Sequence, residues 1–485
     1  MQQQQRHFNK KNTIGLTIIA AYAILILTIP PLLIGKHISP VLAVSTLVMV
    51  SVYILLALEI IHRSVLSLIG AIIIIVSAVV FGSIAAKDTF DFIIDSIDFN
   101  TIGLLLGMMI IVAILGETGV FYWVGIKAGK ISNGNLWKLM LLLCTFTAGA
   151  SMFIDNVTTI LLMVPVTLSI TRTLKVPPIP FILSQVLVSN IGGAVTLIGD
   201  PPNILIGSAA NIDFNSFLIY MGPTMAIILI LSLVSLRIFF RKELRQEQQQ
   251  EKESDIHQLL ERNEGAVIKD KNMLIKSLIV LVGAIILFSL QGITHMEVSI
   301  VTIGAAAVLL VITKVQLERI LHEVDWPTLF FFVGLFVIVG VAQHAGLINV
   351  LAKVAINIIG GNPWLTFVIV IWLAGFASAF VDNIPFTTTM IPLIHSLNSN
   401  PTIASEFVDY NFSPLWWALA LGADLGGNGT LIGSSAGVVA VGLAEKFGYS
   451  ITFNRWFKVG FPFMLITLAI GTVLLPLVLI FVIGK

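Results

Sequence analysis

Residues 151–165 read SMFIDNVTTILLMVP, an apolar run broken by Asp155-Asn156 and followed by two threonines. No Lys or Arg occurs between Leu139 and Thr171, so the Asp155 carboxylate has no cation near it in the chain. The same punctuation returns at 381–392, VDNIPFTTTMIP, where Asp382-Asn383 divides two apolar arms. Two short arms around a polar tip read as a re-entrant hairpin, which enters a membrane and leaves on the same side. The two candidates are 137–171 and 364–398.

The surrounding composition fixes the solvent. The 485 residues are 57% hydrophobic and 11% charged, with a mean hydropathy of +1.00, against about 25% charged in a soluble domain. The chain is therefore expected to be an all-α polytopic membrane protein. A net charge of +1 gives no reason to expect a nucleic-acid partner, and the single cysteine, Cys144, cannot build a disulfide framework or a multi-cysteine metal site. The start, MQQQQRHFNKKN, is polar and basic, and the run from Ile14 to Ile34 is long enough to span rather than be cleaved.

Lys and Arg mark the cytoplasmic side. They occur at Arg6, Lys10 and Lys11, at Arg63, at Lys127 and Lys130, at Arg172 and Lys175, and densely through 237–276. With the N-terminus cytoplasmic, three spans within 1–96 leave the chain outside, and a fourth returns it inside at Lys127. Lys36 and Lys87 are the exceptions. A hairpin at 137–171 keeps Arg172 and the charged linker 237–271 inside, whereas a single crossing would put both outside. Two full crossings preserve the parity too, but the short arms and polar junction favour the hairpin.

The chain also repeats itself. Residues 98–165 lie over 325–392 without a gap: Asp98 on Asp325, Thr101 on Thr328, Gly107 on Gly334, Gly119 on Gly346, Gly134 on Gly361, Trp137 on Trp364, Asp155-Asn156 on Asp382-Asn383 and Pro165 on Pro392, all offset by 227 (382 − 155). Farther on, NIGGAVTLIGDPPN at 190–203 matches DLGGNGTLIGSSAG at 424–437, now offset by 234 (430 − 196). The positive-inside count starts the first repeat, 97–236, outside and the second, 324–485, inside, with scaffold helices at 272–313 between them. One unit inserted in both orientations, with interrupted helices, is the plan of secondary transporters. The interruptions fall in 180–210 and 413–444, where glycines free the backbone and Pro201-Pro202 block a continuous helix. Unwound backbone at membrane depth survives only where it lines protein or a water cavity, so two tips and two breaks are expected to converge on one site.

The acids in or beside that site are Asp155, Asp200, Asp382 and Asp424. There is no Lys or Arg between Val176 and Leu236 or between Val354 and Glu445. Intramembrane acids usually mark ion or proton pathways, and Asp, Asn, Thr and carbonyl oxygens are hard ligands suited to Na⁺ or H⁺. Plainer readings stand beside these. Asp155 and Asp382 can N-cap the second hairpin arm, although capping does not require an acid in both copies. Asp200 and Asp424 fit a cavity mouth as well as its interior. Glu117 and its counterpart His344 (117 + 227) form a titratable pair at a helix end that interfacial water would satisfy, and Glu117 joins the four aspartates as a candidate for proton coupling. Asp98 and Asp325 read as helix caps, and Glu59 as interfacial.

FIDNVTTILLMVPVT, SNIGGAVTLIGDPPNILI, VDNIPFTTTMIP and LGGNGTLIGSSAGVV resemble the arsenite-efflux permease family, which includes the pink-eyed-dilution P protein, within the ion transporter superfamily. The resemblance covers roughly residues 90–480. It implies two re-entrant hairpins, two broken helices, an elevator-like transport domain and a homodimer. It also implies substrate and ion binding by Asp155, Asn156, Thr158, Asn190, Gly192, Gly193, Thr196 and Asn203 in the first repeat, and by Asp382, Asn383, Thr387, Gly426, Gly427, Asn428 and Thr430 in the second. Related anion symporters carry Ser-Asn-Thr at the tips; this chain has Asp-Asn at both.

Three readings follow. The first is a proton-motive-force-driven antiporter in the plasma (inner) membrane that expels arsenite, antimonite or Na⁺. The second is Na⁺-coupled uptake of citrate or another anion, and the third is a channel or a membrane scaffold. No catalytic constellation or nucleotide-phosphate loop occurs, so no enzyme activity is expected. No cofactor or metal is expected beyond Na⁺ or H⁺ as the coupling ion, and a separate ATPase subunit is compatible with the sequence.

Overall fold

The computed structural model describes residues 39–57, 61–250, 264–359 and 362–483. The expected first span at 14–35, Glu59, the middle of the linker and Gly361 lie outside the described residues. Helices account for nearly all of the rest, and no strand occurs among the described residues.

In chain order the helices of seven or more residues are α1 (Pro40–Ala57), α2 (Arg63–Val80), α3 (Thr89–Ser96), α4 (Phe99–Glu117), α5 (Val120–Ser132), α6 (Leu136–Ser151), α7 (Asn156–Leu174), α8 (Ile179–Gly193), α9 (Pro201–Ala210), α10 (Phe214–Phe239) and α11 (Arg241–Gln250). They continue as α12 (Lys271–Ser289), α13 (Val298–Thr313), α14 (Leu317–Glu323), α15 (Trp326–His344), α16 (Leu347–Ile359), α17 (Pro363–Phe380), α18 (Asn383–Asn398), α19 (Pro414–Gly426), α20 (Ser435–Lys446) and α21 (Phe453–Ile483). Eight of them are long and apolar enough to cross a membrane: α2, α4, α7, α10, α12, α15, α17 and α21. Helices α1, α6, α8 and α13 are apolar but shorter.

The chain divides into two compact units. One comprises the residues up to Ile102, Asp325–Thr366 and Thr388–Glu406. Its core joins α1, α2 and α15 through Val44, Ile74, Ala78, Ile338 and Val341. Gly334 of α15 lets the two helices approach closely, because a Cβ there would meet the Ser67 carbonyl carbon at 2.6 Å. At one end Arg63 donates to Thr328 Oγ1 (2.7 Å), lies 3.7 Å from Asp325 and sits over the Phe331 ring at 5.7 Å. Asp325 caps α15 by accepting from the Thr328 backbone N–H at 3.2 Å, and Asp98 caps α4 in the same way through Thr101 (3.1 Å). His344 meets the Ser83 carbonyl oxygen (3.1 Å).

The other unit comprises Gly103–Val324, Phe367–Thr387 and Phe407–Lys485. Both interrupted helices are here. Helix α8 stops at Gly193 and α9 begins at Pro201; α19 stops at Gly426 and α20 begins at Ser435. Proline at the first turn of α9 suits a helix start, where a missing N–H costs nothing. Helices α6 and α7 are joined by the short tip Met152–Asp155, pack on one another and both pack on α8. Glu117 lies 2.7 Å from Arg319, which replaces the solvating water expected for it. The return of the linker is seated on the corner between α4 and α5, with the Lys269 N–H donating to the Thr118 carbonyl at 3.0 Å.

Candidate functional site

The site begins with two glycines and two seryl hydroxyls that let a hairpin tip touch a broken helix. Any Cβ on Gly192 would collide with the backbone of Ala148. In the second repeat a Cβ on Gly426 would meet the Gly375 carbonyl oxygen at 2.5 Å. These are equivalent pairs by the two sequence offsets (148 + 227 = 375; 192 + 234 = 426). Ser151 donates to the Ser189 carbonyl (2.8 Å) and its counterpart Ser378 to the Ala423 carbonyl (2.7 Å). Thr196 donates to the Met152 carbonyl, and Thr430 to the Ala379 carbonyl. The duplication seen in sequence is therefore repeated contact by contact. Backbone groups freed by the breaks are satisfied by side chains of the partner element, as buried polar backbone requires.

Asp155 caps α7, its carboxylate accepting from the Thr158 backbone N–H at 2.9 Å. Asp382 accepts from the Ile384 N–H (3.2 Å) and from the Ser435 hydroxyl (2.6 Å), which ties the second tip to α20. Both acids are only half-buried. Thr158 takes part through its backbone and is partly exposed.

The fully buried acids are Asp200 and Asp424, at 1% and 0% exposure, which places them inside the protein rather than at a cavity mouth. Asp200 stands at the N-cap position of α9 but makes no cap hydrogen bond; its counterpart Ser434 (200 + 234) does cap α20, accepting from the Gly437 N–H. The Asp200 carboxylate turns into the cluster instead. It accepts from the Asn156 amide at 2.6 Å and, at 3.4–3.5 Å, from the Asn383 amide. Asn156 also donates to Asn190 Oδ1 (3.0 Å), and Asn190 donates to Asn428 Oδ1 (2.9 Å). One chain of amides thus joins the first tip to both broken helices, and Asp200 draws in the second tip. Asp200 is in electrostatic range of Asp424, Asp382 and Asp155.

Of the residues expected at the site, Asp155, Asn156, Asn190, Asn203, Asp200, Asp382, Asn383, Asp424 and Asn428 come together in this network. The glycines and Thr196 and Thr430 shape it. The Thr387 hydroxyl is buried without a partner among the described residues. Glu117 stays with Arg319 and does not join. Sequence reasoning missed Ser151, Ser378 and Ser435, and a buried ladder in which Thr167 and Thr147 flank Gln185 at 2.7 and 3.1 Å. The offset of 227 pairs Ser151 with Ser378 and was the one available signal. No Lys or Arg hydrogen-bonds to Asp200 or Asp424 among the described residues, and no grouping of three or more His, Cys, Asp or Glu side chains suited to a metal ion occurs there.

Residues 53–422 match a family model described as citrate transporter. An uncharacterized transporter of Mycobacterium tuberculosis is 36% identical over 433 residues, covering 89% of this chain and 97% of that protein. The P protein of Mus musculus is 33% identical over 512 residues, covering 90% of this chain and 60% of that longer protein. Among solved structures, the YdaH transporter of Alcanivorax borkumensis superposes with a TM-score of 0.55 at 13% identity, over 81% of this chain and 88% of that one. MtrF of Neisseria gonorrhoeae, described among antimetabolite efflux pumps, superposes at 0.53 and 11% identity over 91% and 95%. At such identities these two likenesses are of fold. By the family match and the full-length relative, the chain belongs to the citrate transporter family of multi-pass membrane transporters.

Proposed function

We propose that the chain is a proton-driven antiporter of the plasma (inner) membrane, with a cytoplasmic N-terminus, that expels a cation or a neutral hydroxide: Na⁺, arsenite or antimonite. The observation that carries this reading is the charge of the network. Of the two fully buried aspartates, Asp200 accepts only from the Asn156 and Asn383 amides and Asp424 has no hydrogen-bond donor among the described residues, so neither is bonded to a Lys or Arg there. A multivalent anion there would depend on helix N-termini, each worth about half a charge, against opposing carboxylates. Neutral As(OH)₃ instead offers hydroxyl donors to Asp and Asn acceptors and needs no thiol cage. The matched contacts of the two repeats support a carrier built from two equivalent hairpin and broken-helix units; in this reading the units are inverted, as the positive-inside count implies, the hairpins are re-entrant, and the elevator motion and the homodimer follow from the family resemblance.

A second reading is Na⁺-coupled citrate uptake, favoured by the description of the matching family model. The two are separated in inverted membrane vesicles energised by a proton gradient, offered arsenite, Na⁺ or citrate one at a time. Accumulation of arsenite or Na⁺ that collapses with the gradient is expected. Citrate transport that follows a Na⁺ gradient, with neither of the others moved, would overturn the proposal.

A further inference from the structure

Helices α4 and α5 are tied to different neighbours. Gly107 of α4 lies against α13, where a Cβ would meet the Thr302 carbonyl carbon at 2.6 Å. Helix α5 packs on both arms of the first hairpin, α6 and α7. Its Gly125 is closed so tightly on Val166 of α7 that a Cβ would collide with that side chain. Any movement of the hairpin against α4 therefore has to be taken up at the corner between α4 and α5. That corner is Glu117-Thr118-Gly119, with Gly119 at φ 85°, in the left-handed region that glycine enters without steric cost.

Three contacts pin the corner. Glu117 lies 2.7 Å from Arg319 of α14. Thr118 is completely buried, and its carbonyl accepts from the Lys269 N–H at 3.0 Å. The place a Gly119 side chain would need is filled by the Val267 carbonyl oxygen. The last two contacts come from one segment of the linker. A 3-10 turn at Glu264–Val267 packs on α5, and the chain then runs through Lys269 to Asp270, which caps α12 by accepting from the Met273 N–H at 2.9 Å. Helix α12 in turn packs on α13. The segment is thus a strap that leaves the α12–α13 pair, crosses the corner and ends on the helix that carries the hairpin.

The second repeat shows that the turn itself needs no strap. The offset of 227 takes Gly119 to Gly346, which lies between α15 and α16 and also has φ 85°. Among the described residues, no atom beyond its own turn lies within 4 Å of the place a Cβ would take there. The same backbone corner is built twice, and among the described residues the linker covers one copy.

We propose that Val267–Asp270 is a latch on the α4–α5 corner: seated, it holds the first hairpin against movement, and released, it lets the corner open. The linker is thereby an autoinhibitory element of the carrier. The hold is backbone on backbone, and the Lys269 side chain is exposed, so the latch responds to the position of the segment and not to the charge at 269. One such hydrogen bond contributes little net stability, which suits a contact that opens locally while the rest of the fold stays closed.

The seating of the latch does not depend on what crosses; its effect on flux rests on the carrier reading above. Hydrogen exchange followed by mass spectrometry on the purified full-length protein tests the seating without substrate. Lys269→Pro removes the N–H that Thr118 accepts and leaves α4 and α5 untouched, whereas Lys269→Ala keeps it. The corner amides at 118–123 should exchange about two- to tenfold faster in Lys269→Pro, as expected for the loss of one hydrogen bond, and at the wild-type rate in Lys269→Ala. Gly119→Ala should open the corner as well, because its Cβ displaces Val267; Gly346→Ala, with the same φ and no strap, should leave it at the wild-type rate. A corner that exchanges no faster in Lys269→Pro, or equally fast in Lys269→Ala or Gly346→Ala, would overturn the latch. If Gly119→Ala fails to fold, the two Lys269 variants decide alone. In the inverted vesicles described above, Lys269→Pro should speed whichever of arsenite, Na⁺ and citrate the wild type moves, by a similar factor. An opened corner with unchanged flux would overturn the inhibitory role. An opened corner with no flux of arsenite or Na⁺ in either protein would uphold the latch and overturn the antiport reading.

Discussion

Asn156 and Asn383 hold the same place in the two repeats, yet alanine should cost very different amounts at the two. Asn156→Ala strips a donor from Asp200 (2.6 Å) and from Asn190 Oδ1 (3.0 Å). Each buried acceptor left unpaired costs about 1–3 kcal/mol, so the loss from two is about 2–6 kcal/mol. Asn383 reaches Asp200 only at 3.4–3.5 Å, at the limit of a useful hydrogen bond, and its removal should cost below about 1 kcal/mol. The assay is thermal or denaturant unfolding of both purified variants beside the wild type in one detergent. A clear drop for Asn156→Ala and a small one for Asn383→Ala is expected. Equal losses, or a larger loss at Asn383, would refute the asymmetry of the network.

Further predictions follow from the same geometry. Asp155→Asn and Asp382→Asn should keep their caps, since Asn caps as well as Asp, and should fold normally while losing most of their coupled transport; wild-type transport with unchanged pH dependence would reduce both acids to caps. Gly192→Ala and Gly426→Ala should each lose about 1–3 kcal/mol through overpacking, because a Cβ meets backbone atoms at both positions, whereas Gly149→Ala, with nothing within 4 Å, should be tolerated; unfolding of the three variants decides it. In an experimental structure the two repeats should superpose after a rotation of about 180° around an axis in the membrane plane; copies running in the same direction would contradict the topology.

Much of this arrangement was legible because its signals are local or periodic. Asp155-Asn156 and Asp382-Asn383 interrupt apolar runs in sequence, and the TLIG repeats mark the breaks directly. What was not legible is which acid faces water. The tips suggested that Asp155 and Asp382 are the buried carboxylates, but both are half-exposed caps. The buried pair is Asp200 and Asp424, because burial is set by the closure of four elements around the breaks and not by flanking hydropathy. Asp200 illustrates the difficulty. Its sequence context fits a cavity mouth as well as the interior; in the structure it stands at the N-cap position of α9 without capping, and the Asn156 and Asn383 amides, reaching it from other helices, hold it inward. The offset of 234 contains a clue: it pairs Asp200 with Ser434 and Asn190 with Asp424, so each repeat has its acid on the opposite side of the break.

The central claim is the charge of what crosses, and the most direct measurement is substrate-induced thermal stabilisation of the purified protein from mildly acidic to mildly alkaline pH. Stabilisation by Na⁺ or by arsenite, varying with pH and weakened in Asp200→Asn, is the predicted result. Stabilisation by citrate that requires Na⁺, with none from arsenite or from Na⁺ alone, would contradict it.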